Sequence, residues 1–315
     1  MTDGVGAAPL ALRTLVAGVV DYAGLFPPAS LDMAPASAKF ARYRASADAW
    51  MLGRFVLPVS RLDEWIAAVR ALESAEQHAW HGARLSALLS GEFAREAELI
   101  SAFNDVQPFG VRIDTAEGRT GTPDAVLATA AAMPDDVMLY CELPHRSDPL
   151  ELLHAVKSAG VRAKIRTGGV TPDAFPAASE IIRFLRRCVE LGVTAKATAG
   201  LHHPLRGEYR LTYEPGGLHG IMYGYLNVFL AAAALSIGAS DETATAILLE
   251  QRTSAFRFRD DAVVFAPDGV EHVTLLAPSI SAMRAGGLVA FGSCSFREPV
   301  QELGGIVEPG GARSS

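Results

Sequence analysis

Short apolar runs alternate with longer stretches of helical period along almost the whole chain. The strand candidates are 15–20, 54–59, 85–90, 110–114, 137–143, 162–169, 193–200 and 288–293. Between them, apolar residues recurring every three or four positions predict helices over 36–49, 62–74, 92–103, 123–133, 149–159 and 175–191. In the last of these the apolar positions are Ile181, Ile182, Phe184, Leu185 and Val189. After the seventh strand the pattern changes. A long helix is expected over 218–237, a second over 242–251, a small hairpin over 256–265 and a last helix over 279–285. Eight strands alternating with helices spell an α/β chain of the (β/α)8 TIM-barrel type, one domain over 1–315. The stretch of about 203–278 is longer than one βα unit needs, so it reads as an insertion between strands 7 and 8 that covers the barrel mouth. The ends, 1–9 and 304–315, read as flexible.

Composition narrows the class. Hydrophobic residues at 50% and charged residues at 20% describe a globular chain, and 315 residues bury a sizeable core. The formal net charge of -7, with no dense basic stripe, argues against nucleic acid as a partner. Cys141, Cys188 and Cys294 lack CxxC spacing, which points to a reducing, cytoplasmic setting rather than a disulfide framework. The N-terminus lacks the layout of a signal peptide. The most apolar stretch, 221–237, is broken by Gly224 and Asn227 and reads as a core helix, so no membrane association is expected.

In a barrel of this kind the chemistry sits at the C-terminal ends of the strands. Those ends carry Asp21, Asp114, Glu142, Lys164, Arg166, Lys196, Thr198, His202, His203 and Ser293. Strand alternation puts Arg162, Lys164 and Arg166 on one face of the sixth strand and pairs Lys196 with Thr198 on the seventh. A single strand-end lysine is usually a solvated or ion-paired surface group. Two lysines at equivalent places on adjacent strands, each bordered by small residues, weaken that bland reading, because buried cations are costly unless they have a task. Asp114 and Glu142 could serve simply as their ion-pair partners. Cys141 alternates away from Glu142 and reads as core.

Five motifs stand in order along the chain: Asp21-Tyr-Ala-Gly-Leu-Phe-Pro27, Cys141-Glu142, Lys164-Ile-Arg-Thr-Gly168, Lys196-Ala-Thr-Ala-Gly-Leu-His202 and Gly292-Ser-Cys-Ser295. Together they resemble the deoxyribose-phosphate aldolase branch of the class I aldolases. The resemblance implies a lyase that forms a lysine Schiff base with a small carbonyl substrate bearing an anionic group, without a cofactor or metal. It makes Lys164 the nucleophile and assigns proton handling to Asp114 and Lys196, with Glu142 and Asp21 beside them. Chemistry agrees, since a lysine amine attacks only when neutral and nearby cations favour the neutral form.

The departures concern the substrate. Arg166 stands where the family has serine, and its planar fork suits a carboxylate. The loop Ala199-Gly-Leu-His-His-Pro204 replaces the glycine-rich turn of the family's phosphate pocket. Arg166, Thr198, Gly168, Gly169, Gly200, His202, His203 and Ser293 are the expected substrate-binding residues. Two other functions compete. One is a metal-dependent enzyme using His202, His203 and Glu142, with His145 nearby, although adjacent strand histidines point in opposite directions. The other is a non-catalytic barrel that binds an anion through Arg166, Lys164 and Lys196. His219, Tyr223 and Asn227 recur at i, i+4 and i+8, which reads first as a core hydrogen-bond line and otherwise as a stripe facing the barrel mouth or a partner chain, such as a second copy in a homo-oligomer.

Overall fold

The computed structural model describes residues 8–307. Eight parallel strands close into a barrel: β1 (Val20–Tyr22), β2 (Leu52–Pro58), β3 (Arg84–Leu88), β4 (Arg112–Arg119), β5 (Met138–Glu142), β6 (Arg162–Arg166), β7 (Ala195–Thr198) and β8 (Leu288–Ser293). Each strand pairs with its neighbour in sequence, and β8 pairs with β1 to close the ring. The outward residues of the strands are small and apolar, such as Leu85, Ala87, Ala163, Ile165, Ala195 and Ala197, and all are buried beneath helices. The alternation of strand and helix thus gives the expected closed barrel. Cys141 is buried in this core, as its position in the alternation implies.

Five boundaries differ from the sequence expectation, each for a local reason. Residues expected as the first strand begin instead as a helix, Leu10–Val16, which buries Ala11, Leu12, Leu15 and Val16. That spacing is one helical face, and the strand starts only at Val20. The expected helix over 218–237 is divided. His219–Met222 forms a strand paired antiparallel with Gly207–Arg210, and the helix runs over Tyr225–Ser236. Gly224 is its N-cap, in extended conformation. An added Cβ there would fall 2.4 Å from Leu205 backbone, so this turn admits only glycine.

The expected hairpin over 256–265 gains a third strand, giving a sheet of Phe256–Phe258, Ala262–Phe265 and Val273–Leu276. Finally, the helix Arg297–Val307 extends into the tail expected to be flexible from 304, with Leu303 buried and Ile306 packed on the core. The remaining terminal residues, 1–7 and 308–315, lie outside the described residues.

The fifth boundary matters most for function. Strand β4 runs to Arg119 rather than stopping at 114, and its register against β3 slips. Leu85 pairs with Ile113, but Ser86 pairs with Thr115, which leaves Asp114 as an extra residue. A one-residue bulge exchanges the two faces of everything downstream. Thr115 and Glu117 therefore point into the barrel, level with Ser86 and Leu88 on β3.

Between β7 and β8 the chain carries the two-stranded hairpin, the helices Tyr225–Ser236 and Asp241–Leu249, the three-stranded sheet and the helix Ala277–Gly286. Tyr225–Ser236 is apolar all round and buried on almost every side, with Tyr225 stacked on Phe291 of β8 at a ring separation of 5.0 Å. Its Asn227 donates to the Ile247 and Glu250 carbonyls and accepts from the Arg206 amide. Tyr223 donates to the Pro176 carbonyl. Both act as internal hydrogen-bond anchors, while His219 is exposed on the hairpin. Among the described residues no helix is long and apolar enough to cross a membrane.

Candidate active site

Lys164 and Lys196 occupy paired positions on β6 and β7, and both side chains point into the barrel. The sequence period alone puts them there. Glu117 of β4 lies between them. Its Oε2 is 2.7 Å from Lys164 Nζ and its Oε1 is 2.7 Å from Lys196 Nζ, while Ser86 donates to Oε1 at 2.5 Å. Glu142 of β5 completes the surroundings of Lys164, with Oε2 at 2.8 Å. Asp21 of β1 completes those of Lys196, with Oδ2 at 2.5 Å, and its Oδ1 accepts from the Arg54 amide. The Tyr140 ring flanks Lys196, with its centroid 5.4 Å from Nζ. All five charged groups of this cluster are buried or nearly so.

The electrostatics follow from these contacts. Burial works against a charged Glu117, but Lys164 and Lys196 outweigh it and hold the carboxyl well below the usual range. Glu142 is shifted the same way, with burial opposed by Lys164, Arg166 and Arg119. For Lys196, burial favours the neutral amine, yet Asp21 and Glu117 win and raise its pKa. Lys196 is thus held as an ammonium. The cations do not crowd one another as the sequence suggested, because carboxylates separate them.

The cluster forms the floor of a cavity of about 280 Å³ at the C-terminal end of the barrel. Glu117, Lys164 and Lys196 line it from below, and Arg166, Thr198, Gly169 and Gly200 from the sides. Phe26, Pro27, Pro28, Val56, Leu88 and Val170 make the apolar wall. His202 and Cys294 lie at its far side. The His202 Nδ1 is 3.3 Å from Ser293 Oγ, 3.6 Å from Glu298 Oε2 and 3.8 Å from Cys294 Sγ. Tyr213, from the hairpin connection, donates to Glu298 Oε2 at 2.8 Å and sits 3.6 Å from Cys294 Sγ. Burial disfavours the His202 cation, but the contacts with Cys294 and Glu298 prevail and raise its pKa to about 9.

The expected site residues therefore divide. Lys164, Lys196, Asp21 and Glu142 come together as one buried cluster. Arg166, Thr198, Gly169, Gly200 and His202 line the cavity above it. Asp114 does not join them. As the bulge residue it forms a bidentate pair with Arg54, at 2.6 and 2.9 Å, and touches neither lysine. The carboxylate of the fourth strand that meets both lysines is Glu117. Ser293 acts through His202 rather than on the cavity. Gly168 packs against Gly200, where a Cβ on Gly200 would fall 2.9 Å from the Gly168 Cα, so the pair lets the two strand-end loops touch.

His203 leaves the cavity altogether. It pairs with Glu302 at 2.9 Å and stacks on the Tyr209 ring at 3.5 Å. Because His202 turns to Glu298, His203 to Glu302 and Glu142 to Lys164, the three residues of the metal reading are not brought together. Among the described residues no group of three or more histidines, cysteines or carboxylates is arranged to hold a metal ion.

Glu117, Ser86, Cys294, Glu298 and Tyr213 were not singled out in the sequence. A signal for Glu117 did exist, since the β-compatible run Val-Arg-Ile-Asp-Thr-Ala continues past Asp114 toward Gly118. No protein-family model, curated protein or solved structure matches this chain.

Proposed function

We propose that this barrel is a lyase of the class I aldolase kind, with Lys164 as the Schiff-base nucleophile. The observation that carries this reading is the Lys164–Glu117–Lys196 arrangement on the floor of a closed-bottomed cavity. One lysine borders the cavity between two carboxylates. The other is held protonated on the opposite oxygen of the shared carboxylate.

The chemistry runs through those contacts. Lys164 hands a proton to Glu142, the more accessible of its two carboxylates at 11% against 3% exposed. The free amine then forms a C–N bond to the substrate carbonyl carbon. The carbonyl oxygen takes one proton from the Lys196 ammonium to give a carbinolamine and a second from the protonated Glu142, then departs as water, which leaves an iminium on Lys164. Glu117, bonded to both lysines, accepts the proton that the Lys164 nitrogen loses in the carbinolamine and passes it to Lys196, which regains its ammonium form. The iminium withdraws electrons from the adjacent carbon–carbon bond, so that bond can break or form.

Borohydride tests this. It reduces an iminium to a stable secondary amine, and peptide mass mapping locates the adduct. With a panel of short aldehydes and keto acids, the adduct is expected on Lys164. Lys164→Ala should abolish it, and Lys196→Ala should slow its formation. An adduct on Lys196 would exchange the roles of the two lysines. No adduct from any carbonyl between pH 6 and 10 would refute the lyase, leaving the anion-binding barrel.

A further inference from the structure

His202 lines the same cavity as Lys164 and Lys196, and the charges around it restrict what a ligand there can be. The ring is fixed through one nitrogen: Ser293, Glu298 and Cys294 all contact Nδ1. Among the described residues no hydrogen bond or ion pair engages Nε2, although the residue lines the cavity. With Nδ1 held against Glu298, Nε2–H is the donor offered to a ligand. The shift of His202 to about pKa 9 keeps that proton in place near neutral pH.

The cavity's cations are already matched. Lys164 and Lys196 face Asp21, Glu117 and Glu142. Arg166 has Glu142 at 3.4 Å, and His202 has Glu298 at 3.6 Å. Arg119 also reaches Glu142, but it is 81% exposed and screened by water. A phosphate dianion entering this space would meet no uncompensated cation and would lie close to Glu142 and Glu298. Desolvating two negative charges without matching positive charge is unfavourable. A hydroxyl or a single carboxylate asks far less, and one imidazole N–H with the Arg166 fork above it suffices. The volume of about 280 Å³ likewise suits a short molecule.

We infer that the substrate is a short, unphosphorylated carbonyl compound carrying at most one negative charge, whose far oxygen accepts a hydrogen bond from His202 Nε2. This rests on the Schiff-base reading for the identity of the reacting end. Glu298 and Ser293 are positioning residues that set the ring's orientation.

The test has two arms on the wild-type chain. In the first, ¹⁵N-histidine-labelled protein is titrated at constant ionic strength with glycolate or with inorganic phosphate. Glycolate cannot form an imine, so this arm does not depend on Lys164. The His202 resonance is assigned from its loss in His202→Gln. Glycolate is expected to shift the Nε2 signal saturably, with affinity about tenfold or more above that of phosphate, the order of one charge-assisted hydrogen bond. Tighter binding of phosphate, or no shift with either ligand, would overturn the inference.

In the second arm, borohydride trapping compares glyceraldehyde with glyceraldehyde 3-phosphate. The unphosphorylated compound should give about tenfold more adduct or better. A preference for the phosphate ester would overturn the substrate class. Failure of both compounds to trap would defeat the lyase proposal, while the glycolate titration would still judge His202.

Discussion

Replacing Glu117 with glutamine should show what the shared carboxylate does. The amide keeps the shape and the contact with Ser86, but it removes the negative charge that touches both ammonium groups at 2.7 Å. Removing one partner from a buried ion pair costs roughly 3–5 kcal/mol. Here each lysine keeps a second carboxylate, Glu142 for Lys164 and Asp21 for Lys196, so the lower end applies, about 3 kcal/mol. For a chain of 315 residues that corresponds to a fall in Tm of about 5 °C.

The pH dependence gives a sharper reading. The folded-state pKa of Glu117 lies below its unfolded value, so its contribution is present above about pH 4.3 and fades as pH falls through the acid range. Glu117→Gln should therefore lower the acid slope of stability by up to about 1.4 kcal/mol per pH unit below pH 4. Lys196, whose folded pKa is raised, should lose part of that rise when Glu117 is neutral, so the alkaline loss of stability that sets in above the unfolded lysine pKa of about 10.4 is smaller in the variant. Thermal melts and urea titrations between pH 3 and 11 measure all three effects. A Tm within 1 °C of the wild type, together with an unchanged acid slope, would mean that Glu117 is not the ionised bridge between the lysines.

Two further substitutions separate support from chemistry. Asp114→Asn should weaken the bidentate pair with the partly buried Arg54 and cost about 1–3 kcal/mol in urea denaturation, yet leave borohydride adduct formation at Lys164 unchanged. Loss of trapping at unchanged stability would restore Asp114 to the chemistry. Gly200→Ala places a Cβ 2.9 Å from the Gly168 Cα at a backbone φ of +72°. A stability loss of about 2 kcal/mol or more is expected, along with weaker ligand binding as the β6 and β7 loops part. A neutral result in calorimetry would show that these loops do not need the close contact.

Much of the barrel was legible because it depends on local periodicity. A run such as Arg162-Ala-Lys-Ile-Arg166 alternates with period two, and the segment after it has an apolar stripe of helical period, so strand and helix follow from the residues themselves. The same alternation put Lys164 and Lys196 inside the barrel, and adjacency of the two strands put them side by side. Local pattern misled where two elements could share one set of residues. Leu10–Val16 and the stretch before Tyr225 show this, since tertiary burial there decided between helix and strand.

Tertiary structure alone decided which groups surround the lysines. The bulge at Asp114 arises from the pairing of β4 with β3, and a sequence carries no mark of a register slip. That slip sends Asp114 to Arg54 and turns Glu117 toward the lysines, which replaces the expected cation crowding with carboxylates. His202 and Glu298 likewise meet only because β8 closes the ring against β1 and brings the helix Arg297–Val307 beside the end of β7. Periodicity is a property of neighbours along the chain, whereas charge pairing depends on which distant strands the closed barrel sets face to face.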